Sequence, residues 1–304
     1  MNFIPLTADA YPRLKPFFDG QPYALSVYSL SSLIIWSTPL LPASYSIDDD
    51  RVMIRGDSTQ HPEQGHWLLP VSRERLPSPE ELHDLAQEQG NGVFRFVPGH
   101  VVEGMDQEEL GRWFDWEEEP GFSDYVYRAE DLRSLRGNRY AKKRNLIKQF
   151  AKSYLDAGRV RVTSMTPEET PECLDFLEQW CAERDCDEET QEGLFCEKQA
   201  VIQALNHMER LEMPGIVIRV DGTVSAFAMA SRLNAHTGVL NIEKAFPGIK
   251  GLYQFLDNEC AKRLLADCEW INKESDVNLP ELARSKQSYH PALRVKSYRL
   301  NLRS

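Results

Sequence analysis

The chain has 304 residues, of which 41% are hydrophobic, 27% charged and 10% aromatic. This composition supports packed apolar cores and excludes a disordered chain, which would contain fewer aromatic residues. The length favours two domains. The net charge of −12 argues against a protein whose whole surface binds nucleic acid or an anionic membrane.

The N-terminal region predicts neither a signal peptide nor a membrane span. The first five residues contain no basic segment and no apolar run. Residues 21–47 carry no formal charge, but they contain seven serines and are interrupted by Pro39 and Pro42, which is too polar for a bilayer-spanning helix. We therefore expect a cytoplasmic bacterial protein in which residues 21–47 form a buried helix, a turn and a strand.

The first half is predicted to alternate strands and helices. A strand over 3–7 precedes a helix over 8–18, and residues 47–55 form a hairpin around an acidic turn. A helix with Pro79 near its start follows over 78–89. The remaining predicted elements of this half are strands over 92–97 and 124–128 and, between them, an acidic solvated loop over 115–120.

The second half repeats this order. A strand over 160–165 leads into Thr166-Pro167-Glu168-Glu169, a typical helix start, and the helix runs to about residue 184. A hairpin over 216–230 turns at Asp221-Gly222. The repetition predicts an internal duplication of two α/β units, each with one sheet covered by helices. Later predicted elements are a strand over 237–245, a helix over 252–266 and a strand over 269–272.

All the cysteines lie in the second half, and four of the six fall between residues 173 and 196. None forms a C-x-x-C pair, and no histidine pair lies nearby at zinc-ligand spacing, so no metal site is predicted. The pattern favours reduced, buried thiols in a cytosolic protein, with a metal or redox role as the alternative. The six are Cys173, Cys181, Cys186, Cys196, Cys260 and Cys268.

Residues 128–152 are strongly basic, with nine basic and two acidic side chains. They are predicted to contain most of a helix over 139–157 that Asn138 caps. Cations in the first turns of this helix oppose its dipole, and its apolar stripe is interrupted at position 143 or 144, where a leucine is expected. The pattern is typical of a surface for phosphate, nucleotide or nucleic-acid backbone, and a helix paired with the acidic remainder of the protein is the equal alternative. The candidate anion-binding residues are Arg136, Arg139, Lys142, Lys143 and Arg144.

A strand, a loop with two glycines and a helix succeed one another over 241–254. Backbone amides at such a turn can bind a pyrophosphate, and glycine permits a close approach of the ligand. In a degenerate form this order resembles the coenzyme A signature of GNAT acyltransferases, although a Pro-Gly turn before a helix is common. Glu243 at the end of the strand is a candidate catalytic base. The candidate cofactor-binding residues are Lys244, Gly248, Lys250, Gly251 and Tyr253.

A polar cluster follows the predicted strand over 269–272 and continues near residues 285–291. Side chains placed directly after an apolar strand often point into a cleft. A polar surface turn is the equal alternative. The candidates here are Asp276 or Glu274 as a base, Tyr289 as an acid and Lys286 as an anion clamp.

Together, these three regions resemble a known bacterial family. The segments that carry the resemblance are 125–145, with its Tyr-Val-Tyr and basic run, 242–254, and 272–291, with Asn-Lys-Glu-Ser-Asp. In this order and spacing they resemble the C-terminal synthase domain of phosphatidylglycerol lysyltransferases over nearly the whole chain. The resemblance implies an α/β (α+β) protein of two tandem GNAT-like domains, similar to the FemABX peptidyltransferases, each with a mixed, largely antiparallel sheet flanked by helices.

With the predicted elements, this resemblance predicts three parts. An N-terminal GNAT-like domain occupies 1–136, a basic linking helix 137–158, and a C-terminal GNAT-like domain 159–304. The resemblance further implies transfer of an acyl or aminoacyl group, with coenzyme A or aminoacyl-tRNA as donor and no tightly bound cofactor. The lipid synthases carry a membrane-spanning half that is not in this chain, so we expect a small amine, peptide or protein acceptor at least as much as a lipid.

In this hypothesis Glu243 or Asp276 deprotonates an acceptor amine, and Lys244 or nearby amides stabilise the oxyanion. No side-chain nucleophile is required, in agreement with the lack of a G-x-S-x-G or Cys-His pattern. The first alternative is a non-catalytic GNAT-like module that binds nucleotide, RNA or another anionic partner. The second is a structural partner whose basic helix docks on an acidic surface. The sequence does not predict the oligomeric state.

Overall fold

The computed structural model describes residues 2–73, 76–90, 92–183 and 192–303. In these ranges the chain forms two seven-stranded sheets flanked by helices, so the predicted mixed α/β class is confirmed. The strands are β1 (Ile4–Pro5), β2 (Ala43–Asp48), β3 (Arg51–Gly56), β4 (His66–Trp67), β5 (Val93–Pro98), β6 (Phe114–Glu118), β7 (Asp124–Arg128), β8 (Val160–Ser164), β9 (Gly215–Val220), β10 (Thr223–Arg232), β11 (Thr237–Ala245), β12 (Trp270–Asn272), β13 (Leu293–Val295) and β14 (Ser297–Leu302). The helices are α1 (Tyr11–Phe18), α2 (Leu30–Trp36), α3 (Pro79–Gln89), α4 (Gly99–Gly104), α5 (Gln107–Trp113), α6 (Ala129–Ser134), α7 (Ala141–Phe150), α8 (Thr170–Ala182), α9 (Glu192–His207), α10 (Leu252–Arg263) and α11 (Pro280–Gln287).

The two sheets have the same strand order and the same strand directions. The first runs β1-β2-β3-β4-β5-β14-β6, and the second, taken from its opposite edge, runs β8-β9-β10-β11-β12-β7-β13. In each sheet the fourth and fifth strands are parallel, and the other neighbours are antiparallel. The shared topology confirms the predicted internal duplication.

Each half contributes one strand to the sheet of the other half. Strand β7 lies between β12 and β13 in the second sheet, and β14 lies between β5 and β6 in the first. Each exchanged strand is therefore hydrogen-bonded on both sides within a sheet built mainly from the other half. The sheets do not divide at residues 136 and 159, and the proposed domain boundaries at those residues stay a prediction.

The interpretation of residues 115–120 as an acidic loop is wrong. Most of this segment belongs to β6, an edge strand that pairs with β14. Phe114 anchors the strand in the core, whereas Asp115 lies at the surface and pairs with Arg303. An exposed sheet edge tolerates such charges, so the acidic composition alone does not distinguish this strand from a loop.

Apolar cores cover both faces of the second sheet. The first core is shared by the two halves and includes Phe94 from β5 and Phe227 from β10. The second core lies between the opposite face of the second sheet and helices α7 and α10, and it includes Phe150 and Leu256. Helix α2 of the first half packs against α9, and the predicted burial of this helix is confirmed. None of the helices in the described ranges is long and apolar enough to cross a membrane.

The basic helix begins with a 3-10 turn over Asn138–Tyr140, continues as α7 and ends in a π-helical turn over Ala151–Leu155. The predicted helix over 139–157 is therefore confirmed in position, although its last turn is not α-helical. Helix α10 begins directly against α7. Gly251 before α10 has a φ of +85°, and a Cβ at this position would overlap the carbonyl oxygen of Leu146.

We expect Gly251→Ala to destabilise the protein by about 2–4 kcal/mol, because it combines a left-handed backbone with an overlap against α7. Gly248→Ala is the matched control, since a Cβ there would have no neighbour within 4 Å, and it should change stability by less than about 0.5 kcal/mol. Urea unfolding of both variants measures the difference. Equal stabilities would contradict a packing role for Gly251.

Candidate active site

A gap in the second sheet opens where its two parallel strands separate. Strands β11 and β12 pair only as far as Val239 and Asn272. Beyond this point β11 continues alongside β10, whereas the chain after β12 stays with β7: the Lys273 amide donates to the Tyr125 carbonyl over 2.9 Å. The side chains that follow the last shared pair, on either strand, therefore line the gap.

A β-bulge directs one of these side chains into the gap. Leu240 pairs with Ala230 and Ile242 pairs with Met229, so Asn241 is the additional residue of β11. Its amide nitrogen lies 3.1 Å from Glu274 Oε1 and 2.6 Å from Ser32 Oγ of helix α2. Bulges are over-represented next to active sites, where they redirect a side chain. Asn241 thereby connects the two walls of the gap with the first half.

We use the name Lys273 cluster for Glu243, Asp257, Lys273 and Tyr289. Lys273 Nζ lies 2.8 Å from Glu243 Oε2 on β11 and 2.7 Å from Asp257 Oδ2 on α10. The lysine and Asp257 side chains are 9% and 4% exposed, whereas Glu243 is 20% exposed. Glu243 is therefore the member of the cluster that a ligand can reach most easily.

The protonation states in this cluster follow from burial and from the ion pairs. Burial opposes the charge on Lys273, but the Asp257 and Glu243 carboxylates outweigh it and raise the pKa of this lysine. Burial raises the pKa of Glu243, and Lys273 opposes this shift. Burial, and then the Asp257 and Glu243 carboxylates, raise the pKa of Tyr289, so its hydroxyl stays protonated at neutral pH.

Lys143 of the basic helix packs against this cluster. Its Nζ lies 3.7 Å from the centroid of the Tyr289 ring and donates to Ser288 Oγ over 2.6 Å. The side chain is buried, and burial lowers the pKa of Lys143 to about 8. Lys143 occupies the position at which the apolar stripe of the helix is interrupted, so the anomaly in the sequence marks a residue of the site. It faces the protein interior and is not part of the exposed basic surface.

We use the name Glu274 cluster for Asn241, Glu274 and Lys286. Lys286 Nζ donates to the carbonyl oxygens of Lys273, at 2.5 Å, and of Ser275, so it binds the backbone on both sides of Glu274. Burial raises the pKa of Glu274 to about 7 and lowers the pKa of Lys286 to about 8. Lys286, predicted as an anion clamp, thus holds the backbone of the loop.

Two predicted catalytic or oxyanion-binding residues lie outside both clusters. Lys244 points to the opposite face of β11, where its Nζ lies 2.5 Å from Glu197 Oε1 and 3.9 Å from the centroid of the Trp180 ring. Asp276 accepts hydrogen bonds from the Tyr125 hydroxyl at 2.6 Å and from the Asn278 amide at 2.9 Å. Both carboxylate oxygens of Asp276 thus have partners that organise its own loop.

The glycine loop is largely occupied by its own contacts. The amides of Ile249 and Leu252 donate to carbonyls of the same loop. Gly248 and Lys250 are exposed, and Tyr253 packs against the second core. The space at Gly251 is filled by α7, so that glycine is explained by contact between two helices.

The predicted anion-binding residues other than Lys143 and Lys286 separate into two groups. Arg139 pairs with Asp131 at 2.8 Å, and Arg144 donates to the carbonyls of Leu135 and Gly137. Arg136 and Lys142 are exposed, and no ion pair joins them to another described residue. Together with the exposed Lys148, they form what we call the basic surface: Arg136, Lys142 and Lys148.

The sequence interpretation assigned no role to Asp257, Lys273 or Asn241. Lys273 lies inside the recognised Asn-Lys-Glu-Ser-Asp segment, which is the only signal that could have identified it. Asp257 belongs to α10, a helix with buried residues on most sides, and an isolated carboxylate in it carries no pattern. The bulge that exposes Asn241 depends on the pairing with β10.

The equivalent position in the first sheet has a different set of side chains. There the parallel pair β4–β5 is joined at Trp67 and Phe94, and Leu68 and Leu69 follow on β4 as buried residues. On β5, Arg95 follows Phe94 and pairs with Glu119. Among the described residues of the first half, no cluster of lysines and carboxylates like that of the second half lies at this position.

Five of the cysteines lie in the described part of the chain and all five are buried, whereas Cys186 lies outside the described residues. Within the described ranges, no group of three or more histidine, cysteine or acidic residues could hold a metal ion. The geometry of the gap thus rests on lysine and carboxylate side chains.

Comparisons with known proteins agree with this architecture. A family model described as phosphatidylglycerol lysyltransferase, C-terminal, matches residues 64–301. The chain is similar to a conserved protein of unknown function from Bacteroides thetaiotaomicron, with 27% identity, a TM-score of 0.88 and 100% coverage of both chains. It is also similar to the C-terminal domain (DUF2156) of a candidate lysylphosphatidylglycerol synthetase from Agrobacterium fabrum, with 14% identity, a TM-score of 0.65 and coverage of 98% and 93%. No curated protein sequence matches the chain.

We expect Lys273→Met to destabilise the protein by about 3–5 kcal/mol at neutral pH, because it leaves the Asp257 and Glu243 carboxylates without their partner. The deficit should shrink as the pH falls, since burial raises the pKa of Glu243 and its protonation removes one of the two charges. Lys296→Met, in an exposed pair with Glu118, is the control and should change stability little. Denaturant unfolding at pH 5 and pH 8 measures this effect, and a deficit that does not change with pH would contradict the assigned charges.

Proposed function

Because this chain belongs to the phosphatidylglycerol lysyltransferase C-terminal family, we propose that it transfers an aminoacyl group from an activated ester to an amine or hydroxyl acceptor. The observation that carries the proposal is the Lys273 cluster at the gap between β11 and β12. It places a partly exposed carboxylate beside a fixed lysine charge, at the point where the two parallel strands separate.

The charge of this cluster suits an aminoacyl group. The three charged groups that contact one another, Glu243, Asp257 and Lys273, carry a net charge of about −1, and burial strengthens its attraction for a cation. Lys143 lies over the Tyr289 ring and donates to Ser288 Oγ, and burial lowers its pKa to about 8. The α-ammonium of an aminoacyl ester is such a cation, whereas an acetyl group has no charge to bind. Glu243 is the most exposed carboxylate of the cluster, and we assign to it the contact with the ammonium group.

The reaction requires no covalent enzyme intermediate. The acceptor nitrogen or oxygen attacks the ester carbonyl carbon and forms a new bond, and the ester C–O bond then breaks. The departing hydroxyl of the donor takes up the proton that the acceptor loses. Lys273 keeps its charge and lies in the wall of the gap, where it favours the negative charge that develops on the carbonyl oxygen.

The basic surface supports a tRNA donor over coenzyme A. Arg136, Lys142 and Lys148 are exposed near or on the same helix that carries Lys143 to the Lys273 cluster. A phosphate backbone bound along this helix would bring its end towards the gap. In contrast, Gly251 contacts α7, and the neighbouring loop amides donate internally, which leaves less of the loop for a pyrophosphate.

We expect the purified protein to transfer radiolabelled aminoacyl groups from bulk aminoacyl-tRNA to an added amine. Glu243→Gln should raise KM for the donor about 10-fold or more, because it removes the net negative charge; a factor of ten corresponds to about 1.4 kcal/mol. Glu118→Gln is the control, since Glu118 also pairs with a lysine but lies in the first sheet. An unchanged KM in Glu243→Gln, or transfer only from acetyl-coenzyme A, would contradict the proposal.

Reversing two charges of the basic surface, in Arg136→Glu/Lys142→Glu, should weaken tRNA binding and reduce its salt dependence. If each residue meets a phosphate, the slope of log K against log salt should fall by about 1.4–1.8. Arg13→Glu, an exposed change on α1, is the control. Filter binding between 50 and 200 mM salt, conditions chosen because phosphate contacts weaken over roughly this range, measures the slopes. Tight tRNA binding without any transfer would favour a non-catalytic RNA-binding module.

A further inference from the structure

The Lys273 cluster is suited to hold charge but not to exchange protons. Lys273 donates to both Glu243 and Asp257, and these carboxylates favour its charged form. The same lysine opposes the rise in the pKa of Glu243 that burial causes. A group that takes up a proton from an acceptor must change its charge during each turnover, and an ion-paired carboxylate resists that change.

Glu274, on the opposite wall of the gap, has a different environment. Its Oε1 accepts a hydrogen bond from the neutral amide of Asn241, and none of the ion pairs between described residues includes it. Asn241 and Glu243 lie two positions apart on β11, which corresponds to about 7 Å along a strand. Since Asn241 contacts Glu274 directly, Glu243 and Glu274 lie beside neighbouring positions of β11, one on each wall of the gap.

The backbone of Glu274 adopts a strained conformation that neighbouring contacts maintain. Its φ of +57° lies in the left-handed region, which is uncommon for a residue other than glycine. The Lys286 ammonium binds the carbonyls on both sides of it, and the Glu274 amide donates to Asn272 Oδ1 over 2.8 Å. Backbone strain that several contacts maintain is concentrated at functional sites, where it positions a reacting group.

The groups facing Glu274 come from several elements. They are Lys286 from α11, Asp124 from β7, Glu197 from α9 and Asn241 from β11. Burial raises the pKa of Glu274 to about 7, Lys286 opposes this shift, and Asp124 adds to it. A carboxylate with a pKa near the working pH is able both to accept and to release a proton.

We propose that Glu274 is the general base of the transfer reaction, which rests on the function proposed above. An oxygen of the Glu274 carboxylate takes a proton from the acceptor. From an ammonium group this leaves a neutral amine, whose lone pair then attacks the ester carbonyl carbon; from a hydroxyl group the proton is taken as the oxygen attacks. When the ester C–O bond breaks, the departing oxygen takes up one proton, which comes from Glu274 for a hydroxyl acceptor and is the second proton lost by the nitrogen for an ammonium acceptor. In the ammonium case Glu274 releases its own proton to water, so it is restored as a carboxylate in both cases, and Glu243 holds the donor throughout.

Two acceptors distinguish a base from a structural residue. Ethanolamine is an ammonium ion at neutral pH and must lose a proton, whereas hydroxylamine is already largely neutral. With bulk aminoacyl-tRNA as donor, Glu274→Gln should lower kcat for ethanolamine by about 10²–10⁴-fold, the range typical of a lost general base. The loss for hydroxylamine should be much smaller. Glu269→Gln, an exposed glutamate paired with His236, is the control.

The pH profile gives an independent measurement. For the wild type and ethanolamine, kcat should fall as the pH falls through about 7, because Glu274 becomes protonated. This decrease in kcat at low pH should disappear in Glu274→Gln and persist in Glu243→Gln. Equal losses with both acceptors, or an unchanged decrease in Glu274→Gln, would overturn this assignment and leave the transferase proposal intact. A wild type that transfers to neither acceptor would overturn both.

Discussion

The site depends on one constraint, the burial of the Lys273 ammonium between two carboxylates that belong to different elements. Glu243 lies on β11, Asp257 on α10, and Lys273 directly after β12. A buried charge is tolerated only when it is paired, so these three elements must stay in register where the parallel strands separate. The same contacts that join the walls of the gap give it a charge suited to a cationic group. The same three residues therefore hold the fold together and determine the charge of the gap.

The duplication explains why only one half carries this arrangement. The two sheets share one topology, and each contains a strand from the other half. The first sheet joins its parallel pair at Trp67 and Phe94 and has one ion pair, Arg95–Glu119, beside it, whereas the second places lysines and carboxylates there. The first half still contributes to the site, since Ser32 of α2 contacts Asn241 in the gap. The first half thus supports the second through the shared core and the exchanged strands.

The sequence predicted local elements well because their signals are local. Hairpin turns, helix caps and the repeated order of elements led to the α/β class and the duplication, and the interrupted stripe of the basic helix marked Lys143. The exchange of β7 and β14 was not predictable, because strand partners far apart in sequence leave no local pattern. Asp257 and the bulge at Asn241 could not be predicted from the sequence for the same reason. The acidic segment 115–120 was misread as a loop because an edge strand and a loop expose similar side chains.

A crystal structure with a non-hydrolysable aminoacyl-adenosine analogue, carrying an amide in place of the ester, tests the central claim most directly. The account predicts that the carbonyl carbon lies in the gap between β11 and β12. The α-ammonium should contact the Glu243 carboxylate, and the side open to the acceptor should face Glu274. An analogue bound on the opposite face of β11, beside Lys244 and the Trp180 ring, would contradict this placement of the donor.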